Sequence, residues 1–220
     1  MFKAVVFDLY ETLVTQSGTP VPRAGALGES LGLDPIAYRR EWKQLRPQVL
    51  RGQLTFREAL VEVGARLGVT IATERVQRAC DERVRANEEV FQKVDPAITA
   101  LTRELHGRGV HLATISNCMA EDVVAWPHSA FAPQFRCAVF SFAVHMVKPD
   151  PEIYREALRH LDVEAADALY IGDGGDDELA GAERAGLHVA RAAWFVSRPD
   201  MPAVPFFSNV QDVMRLATRG

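Results

Sequence analysis

Five short, almost uninterrupted apolar runs recur along the chain, and each is followed by polar or glycine-containing turns. The runs are too short for typical helices and lack the alternation expected of strands that expose one face to water. Continuous apolar strands are typical of parallel sheets, in which both faces are covered. We therefore predict β-strands at residues 2–7, 110–115, 138–142, 168–171 and 187–190.

Helical spacing of apolar residues separates these runs. Residues 23–94 show only helical patterns, including an Asp34-Pro35 start signal and a capping box formed by Thr55 and Glu58. The Pro- and Gly-containing segment 13–22 predicts a loop. Further helices are predicted at residues 95–107, 119–125, 152–161, 179–185 and 210–217.

The order of these elements predicts the fold class. Strands that alternate with helices form parallel βαβ units, which right-handed crossovers wind into a sheet covered on both faces. We therefore expect an α/β fold with a doubly wound, three-layer parallel sheet, built from residues 1–14 and 95–220. Residues 15–94 are expected to form a small α-helical domain inserted after the first strand.

Composition narrows the possible functions. The hydrophobic fraction of 48% supports a normal core, and the net charge of −4 provides no basic face for nucleic acid. No apolar run reaches the roughly 18 residues of a membrane span, and no secretory signal is evident. The three cysteines are odd in number and widely spaced, which argues against a disulfide framework or a zinc site. We expect a cytoplasmic monomer or homodimer.

Polar side chains follow four of the predicted strands. Because the carboxyl ends of parallel strands lie at one edge of the sheet, these side chains are expected to form a single ligand site. Asp8 alone could equally cap the following turn, and Lys148 alone could be an ordinary surface lysine. The complete set, in strand order, is Asp8, then Ser116 and Asn117, then Lys148, then Asp173, Asp176, Asp177 and Glu178.

Four segments carry these side chains, with the sequences FDLYET (7–12), ISN (115–117), KPDP (148–151) and GDGGDDELAGA (172–182). In order and spacing they resemble the motifs of the haloacid dehalogenase-like hydrolase superfamily. The helical segment after the first motif resembles the cap domain inserted in that superfamily. The resemblance covers nearly the whole chain and implies a Rossmann-like core.

The resemblance also implies covalent catalysis. Asp8 would attack the substrate and form an aspartyl ester or aspartyl phosphate, which water then cleaves. Ser116 or Asn117 would hydrogen-bond the group being transferred, and Lys148 would offset the negative charge around it. Thr12 would hold the first motif in shape.

The acidic residues of the fourth motif predict a magnesium ion. Two carboxylates close to Asp8 would repel one another unless a cation lay between them, and Mg²⁺ prefers oxygen ligands. We expect Mg²⁺ to be held by Asp8, Asp173 and the Tyr10 carbonyl, with Asp177 or Glu178 as a further ligand or acceptor. The remaining acids would compensate the charge of a helix N-terminus.

Tyr10 departs from the phosphatases of the superfamily, which usually carry an aspartate there to protonate the leaving alcohol. The haloacid dehalogenases carry tyrosine, need no metal, and typically have serine in place of Asp173. The two motifs therefore favour different reactions. The retained Asp173 favours Mg²⁺-dependent hydrolysis of a small phosphate ester. The alternatives are a 2-haloacid dehalogenase and a catalytically weak binding or regulatory protein.

The predicted helical domain supplies candidate residues for binding a small anionic substrate. Arg39 and Arg40 could bind its anionic group, with Trp42 as an apolar wall. These arginines could equally form the solvated face of an amphipathic helix, and Trp42 could belong to its core.

Overall fold

A computed structural model describes residues 2–21, 24–196 and 204–217 of the protein. The sheet has the order β3-β2-β1-β4-β5-β6, and every pair of neighbouring strands is parallel. This confirms the predicted α/β fold with a doubly wound parallel sheet. The strands are β1 (Ala4–Asp8), β2 (His111–Ser116), β3 (Cys137–Phe140), β4 (Ala168–Gly172), β5 (His188–Ala192) and β6 (Phe206–Phe207).

Strand β1 lies inside the sheet, between β2 and β4, and every one of its residues is buried. Val5 and Phe7 belong to one hydrophobic cluster, whereas Ala4 and Val6 belong to a second one. Because successive side chains point to opposite faces, both faces of the strand are covered. This explains why the strand is continuously apolar in sequence.

Four helices follow the first strand: α1 (Ala24–Ser30), α2 (Pro35–Leu50), α3 (Phe56–Arg66) and α4 (Thr73–Gln92). We call α1–α4 the helical insert. Asp34 caps α2, and Thr55 and Glu58 form the predicted capping box of α3. Buried residues from all four helices share one hydrophobic cluster. The division of the chain into a core and a cap domain stays a prediction.

The remaining helices flank the sheet. They are α5 (Pro96–Gly107), α6 (Ser141–Val144), α7 (Pro151–Leu161), α8 (Glu178–Arg184) and α9 (Gln211–Ala217). Ile98 of α5 and Val213 of α9 pack into the cluster of Val5, whereas Ile153 of α7 and Leu179 of α8 pack into the cluster of Val6. The core therefore has the predicted three layers. None of the helices in the described ranges combines the length and hydrophobicity that crossing a membrane requires.

The helix predicted at residues 119–125 is wrong, because this segment forms only a short 3₁₀ turn at Ala120–Asp122. The Asp122 carboxylate accepts a hydrogen bond from the Met119 backbone N–H at 3.0 Å, which closes a local turn. Pro127 has no backbone N–H to donate to Val123, and a second short 3₁₀ turn, Trp126–His128, follows in place of a longer α-helix.

Two strand predictions also need correction. The third strand ends at Phe140 rather than at residue 142, because the chain turns directly into α6. The fifth strand covers His188–Ala192 rather than residues 187–190, and the short β6 was missed. Two residues carry too little pattern to predict a strand. Pro22 and Arg23, where the predicted loop ends and the predicted helical segment begins, lie outside the described residues.

Gly52 permits a close contact between the helical insert and the core. It has a φ of 65°, and a Cβ there would lie 2.1 Å from the Phe142 carbonyl oxygen. Gly68 has a similar φ of 69°, but a Cβ there would meet nothing within 4 Å.

We expect Gly68→Ala to lower the free energy of unfolding by about 1 kcal/mol through backbone strain alone. Gly52→Ala should lower the free energy of unfolding by about 1–3 kcal/mol more than Gly68→Ala, because the added methyl group overpacks the contact with Phe142. Urea unfolding of both variants measures the difference. Equal losses would show that the contact tolerates a methyl group.

Candidate active site

Asp8 is the last residue of β1, at the carboxyl end of the strand, and is 6% exposed. Its neighbours β2 and β4 run parallel to β1, so their carboxyl ends bring Ser116 and Asp173 to the same edge. The two side chains line, with Asp8, a cavity of about 260 Å³. The structure therefore brings to Asp8 two polar groups that each lie more than 100 residues from it in sequence.

Lys148 forms the centre of the polar cluster. Its ammonium donates to Asp8 Oδ1 at 2.5 Å, to the carboxylate of Glu178, and to the Tyr170 hydroxyl at 3.2 Å. Lys148 is 5% exposed, so this ammonium has exchanged water for protein ligands. Burial lowers the pKa of Lys148, but the carboxylates of Asp8 and Glu178 outweigh it and raise the pKa above its ordinary value. Lys148 is therefore a fixed cation beside Asp8.

Asn117 holds the loop that carries Lys148. Its side-chain oxygen accepts from the Lys148 backbone N–H at 2.8 Å, and its side-chain nitrogen donates to the Lys148 carbonyl at 2.9 Å. The same nitrogen lies 3.1 Å from a carboxylate oxygen of Asp176. Asn117, one of the two candidates for binding the transferred group, thus positions Lys148. Ser116, the other candidate, is buried and also lines the cavity. The hydrogen bonds described for the Lys148 backbone come from Asn117 and not from Ser116.

Both carboxylate oxygens of Glu178 accept hydrogen bonds. One carboxylate oxygen accepts from Lys148 and, at 2.6 Å, from the Tyr170 hydroxyl. The other accepts from the Gly174 backbone N–H at 2.9 Å. A Cβ on Gly172 would lie 2.2 Å from Glu178 Oε1, so the absence of a side chain at the end of β4 makes room for this carboxylate.

Three buried carboxylates lie close together, and two of them, Asp8 and Glu178, contact the Lys148 ammonium. Asp8, Asp173 and Glu178 each offer an oxygen, and these oxygens lie within 4.8 Å of one another. With all three ionised, Lys148 leaves a local charge of −2. Burial and the nearby Glu178 raise the pKa of Asp8 to about 7, although Lys148 counteracts them. A divalent cation that prefers oxygen ligands fits this charge and the neighbouring oxygens of Asp8 and Asp173.

Asp177 and Asp176 lie outside this group of carboxylates. Asp177 is exposed, and its carboxylate faces Arg184 at 3.7 Å. Asp176 is also exposed and faces Asn117. Of the two candidates named for the metal, Asp177 and Glu178, the structure places Glu178 beside Asp8.

The first motif folds back over Asp8. The Thr12 hydroxyl donates to Asp8 Oδ2 at 3.3 Å, while Leu13 and Val14 donate their backbone N–H groups to the Leu9 carbonyl. Glu11 adopts a φ of 58° in this turn. Thr12 therefore contacts the carboxylate itself in addition to lying within the turn.

The hydrogen bonds of the Tyr10 hydroxyl keep it from acting as a general acid or base. Its hydroxyl lies 2.7 Å from the Asp122 carbonyl oxygen and 3.2 Å from Asn87 Oδ1, so its one hydrogen is shared with fixed acceptors. Burial, reinforced by the Asp122 carboxylate, raises the pKa of Tyr10 well above its ordinary value. The phenol stays protonated and links the first motif to α4.

The candidate substrate residues Arg39, Arg40 and Trp42 do not line the cavity. Arg39 lies against Gly25 of α1, and Arg40 pairs with Glu41 at 2.9 Å. Trp42 packs among aromatic rings of the insert. The helical pattern indicated a polar face of α2 but not which of its residues faces the sheet edge.

Two other arginines, Arg46 of α2 and Arg83 of α4, line the cavity. Arg46 lies on the polar face that the pattern had indicated. Nothing in the sequence singled out Arg83 or Asn87, because each lies within a polar stretch of the chain, and Asp122 fell on a segment predicted to be helical. A tyrosine within the apolar β4, Tyr170, was the available signal for a buried polar partner.

Residues 2–186 match the family described as haloacid dehalogenase-like hydrolase. The chain belongs to the haloacid dehalogenase-like hydrolases. This establishes the protein as a hydrolase and confirms the resemblance inferred from the four motifs.

Two phosphatases are similar to this haloacid dehalogenase-like hydrolase in sequence. A sesquiterpene phosphatase of Aspergillus oryzae is 26% identical over 195 residues, which cover 86% of this chain and 90% of that protein. A phosphoserine phosphatase of Thermus thermophilus is 31% identical over 143 residues, which cover 63% of this chain and 52% of that protein.

Solved structures of both reaction classes share the fold of this haloacid dehalogenase-like hydrolase. A 2-haloacid dehalogenase of Pseudomonas syringae has a TM-score of 0.72 at 24% identity, covering 98% of each chain. A HAD phosphatase of Thermococcus onnurineus has a TM-score of 0.68 at 16% identity, again covering 98% of each chain. At these identities the structures establish the shared fold alone.

Two neighbouring tyrosines of this haloacid dehalogenase-like hydrolase allow a matched test of the anchoring of Glu178. The Tyr170 hydroxyl contacts the charged carboxylate, whereas the Tyr154 hydroxyl donates to the Glu178 carbonyl at 2.8 Å. We expect Tyr170→Phe to lower the free energy of unfolding by about 1.5–3 kcal/mol and Tyr154→Phe by about 1 kcal/mol. Urea unfolding of both variants measures the difference. A larger loss in Tyr154→Phe would contradict the assigned role of Tyr170.

Proposed function

We propose that the protein hydrolyses a small phosphate monoester, with Mg²⁺, through an aspartyl-phosphate formed on Asp8. The observation that carries this proposal is the buried cluster of three carboxylates and one ammonium at the carboxyl end of β1. Its excess of negative charge favours a metal-dependent reaction of an anionic substrate. The similarity to two phosphatases supports the same reaction class.

In the first step, a carboxylate oxygen of Asp8 attacks phosphorus, and the bond from phosphorus to the alcohol oxygen breaks. In the second step, water attacks the same phosphorus and releases inorganic phosphate and the free Asp8 carboxylate. The ammonium of Lys148 offsets the negative charge that gathers on the phosphoryl oxygens. Ser116 hydrogen-bonds the phosphoryl group, and Thr12 orients the Asp8 carboxylate.

Asp8, Asp173 and the Tyr10 carbonyl would hold Mg²⁺, which supplies a fixed double positive charge for the phosphoryl oxygens when it is bound. Glu178 supports this set through Lys148 rather than as a free ligand, since its two oxygens already accept three hydrogen bonds. Arg46 and Arg83, which line the cavity, replace Arg39, Arg40 and Trp42 as the residues of the insert that contact the substrate.

Asp173 and Asp177 provide a matched pair for testing the metal. We expect Asp173→Asn to lower Mg²⁺-dependent phosphate release at least about 100-fold, because the variant loses a buried anionic ligand. Asp177→Asn removes an exposed carboxylate of the same loop and should retain activity. Added Mg²⁺ should raise the melting temperature of the wild type and of Asp177→Asn, but not of Asp173→Asn. Unchanged Mg²⁺ activation in Asp173→Asn would refute the metal site.

The position of Tyr10 predicts which esters react fastest. Because the tyrosine hydroxyl is committed to Asp122 and Asn87, the leaving alcohol receives its proton from water or from the substrate itself. Aryl phosphates should therefore be hydrolysed faster than alkyl phosphates, because their phenolate leaving groups are weaker bases than alkoxides. Tyr10→Asp should raise kcat for an alkyl phosphate at least about tenfold, since a positioned general acid contributes more than that. Tyr10→Phe is the control that removes the hydroxyl without adding an acid, and equal effects of both variants would contradict this explanation.

A second candidate function is 2-haloacid dehalogenation, and Tyr10 is the observation that favours it. Departure of a halide needs no proton, so a committed phenol would be no handicap. Assays of 2-chloropropionate and of phosphate esters, each with and without Mg²⁺, separate the candidates. Phosphate release that requires Mg²⁺ supports the first, and halide release that is indifferent to a chelator supports the second. A folded protein with neither activity supports a binding or regulatory role.

A further inference from the structure

A buried polar network joins α4 of the insert to the candidate active site. Asp122 is its centre: the carbonyl accepts from the Tyr10 hydroxyl at 2.7 Å, and the carboxylate accepts from Asn87 Nδ2 at 3.2 Å. Arg83 Nη2 pairs with the same carboxylate oxygen at 2.7 Å. Asp122 is 4% exposed and Asn87 is 1% exposed, so these bonds are shielded from solvent.

The network fixes the guanidinium of Arg83 in place. One end pairs with Asp122, whose second carboxylate oxygen is itself held by the Met119 backbone N–H at 3.0 Å. The guanidinium carbon lies 5.2 Å from the centre of the Phe56 ring, a cation–π contact. Arg83 is thus a preorganised group rather than a mobile surface side chain.

Part of the guanidinium lacks a partner. Arg83 Nε is buried and has no hydrogen-bond partner among the described residues. The ion pair with Asp122 therefore leaves the guanidinium with hydrogen-bonding capacity that the described residues do not use. The planar guanidinium can bind a second anion while Asp122 holds the first nitrogen.

Arg83 also occupies a distinctive place relative to Asp8. Both residues line the cavity of about 260 Å³, in which only a small ligand fits. Arg83, with Glu11 and Gln16, also lines a second cavity, so it lies where the two cavities meet. A phosphoryl group bound at Asp8 and Lys148 would leave the alcohol part of the substrate to extend toward Arg83.

We propose that Arg83 binds a second anionic group on the alcohol part of the substrate. The preferred esters would then carry a carboxylate or another phosphate in addition to the phosphoryl group that is transferred. Acidic side chains on the cavity wall, Glu11 and Asp176 among them, would repel such a group without a fixed guanidinium. The inference rests on the proposed hydrolysis of phosphate esters and narrows its substrate class.

Two esters of nearly equal size test the inference. In the presence of Mg²⁺, 3-phosphoglycerate carries a carboxylate where glycerol 3-phosphate carries a hydroxymethyl group. The wild type should prefer 3-phosphoglycerate, and Arg83→Met should lower kcat/KM for it at least about tenfold more than for glycerol 3-phosphate, since a charge-assisted pair is lost. Arg78→Met, at an exposed position of the same helix, should keep the wild-type ratio.

Arg83→Lys guards against a folding artefact, because Arg83→Met leaves Asp122 without its cation. The lysine keeps the charge but loses the planar fork, so it should retain the melting temperature better while still losing preference. An unchanged ratio of kcat/KM in both folded variants would overturn the inference and leave the phosphatase proposal standing. Equal losses for both esters would also overturn it, because Arg83 would then contact the transferred phosphoryl group.

Failure of the phosphatase proposal is recognised separately. If the wild type hydrolyses neither ester, calorimetric titration of both esters into Asp8→Asn, with and without Arg83→Met, decides the role of Arg83. Tighter binding of 3-phosphoglycerate that disappears with Arg83→Met would support the second-anion site. Equal affinity for the two esters would overturn it.

Discussion

The candidate site depends on a buried cluster of charges centred on Lys148. One ammonium contacts Asp8 and Glu178, and Asp173 lies close to both carboxylates. Breaking a buried ion pair by removing one partner is strongly destabilising, because the other charge remains without water. The surrounding residues hold these charges in place. Asn117 fixes the loop that carries Lys148, and Tyr170 and Gly174 donate hydrogen bonds to the Glu178 carboxylate. Gly172 leaves space for that carboxylate.

The central strands could be predicted from sequence because both faces of each one are buried, and continuous apolar runs follow from that. Predictions failed where one local contact decided the structure. The carboxylate of Asp122 closes a turn at residues 119–122, where apolar spacing had indicated a helix. Strand β6 is too short to show any periodicity. Sequence patterns therefore identify elements that bury many residues and miss those set by a single bond.

The same distinction applies to the site. Asp8, Thr12, Lys148 and Asp173 lie within recognisable motifs, and the structure brings them together at one edge of the sheet. The insert residues could not be chosen in this way. An amphipathic helix shows which face is polar, but its rotation relative to the sheet is decided by packing. Arg39 and Arg46 are seven residues apart and share one face of α2, so their positions along the helix decide which one reaches the cavity. Arg46 lines the cavity, whereas Arg39 lies against Gly25.

Tyr10 connects the architecture of the insert to the chemistry of Asp8. An ionised aspartate at this position would have no hydrogen to donate to the Asp122 carbonyl, whereas the neutral tyrosine hydroxyl makes that hydrogen bond. That bond belongs to the network that also holds Arg83, so one side chain contributes to both the shape of the first motif and the placement of a guanidinium. Tyr10, which stands where a proton-donating aspartate is usual in phosphatases of the superfamily, therefore supplies a structural link. A site built in this way would favour substrates with good leaving groups and strong anionic recognition over those that need acid catalysis.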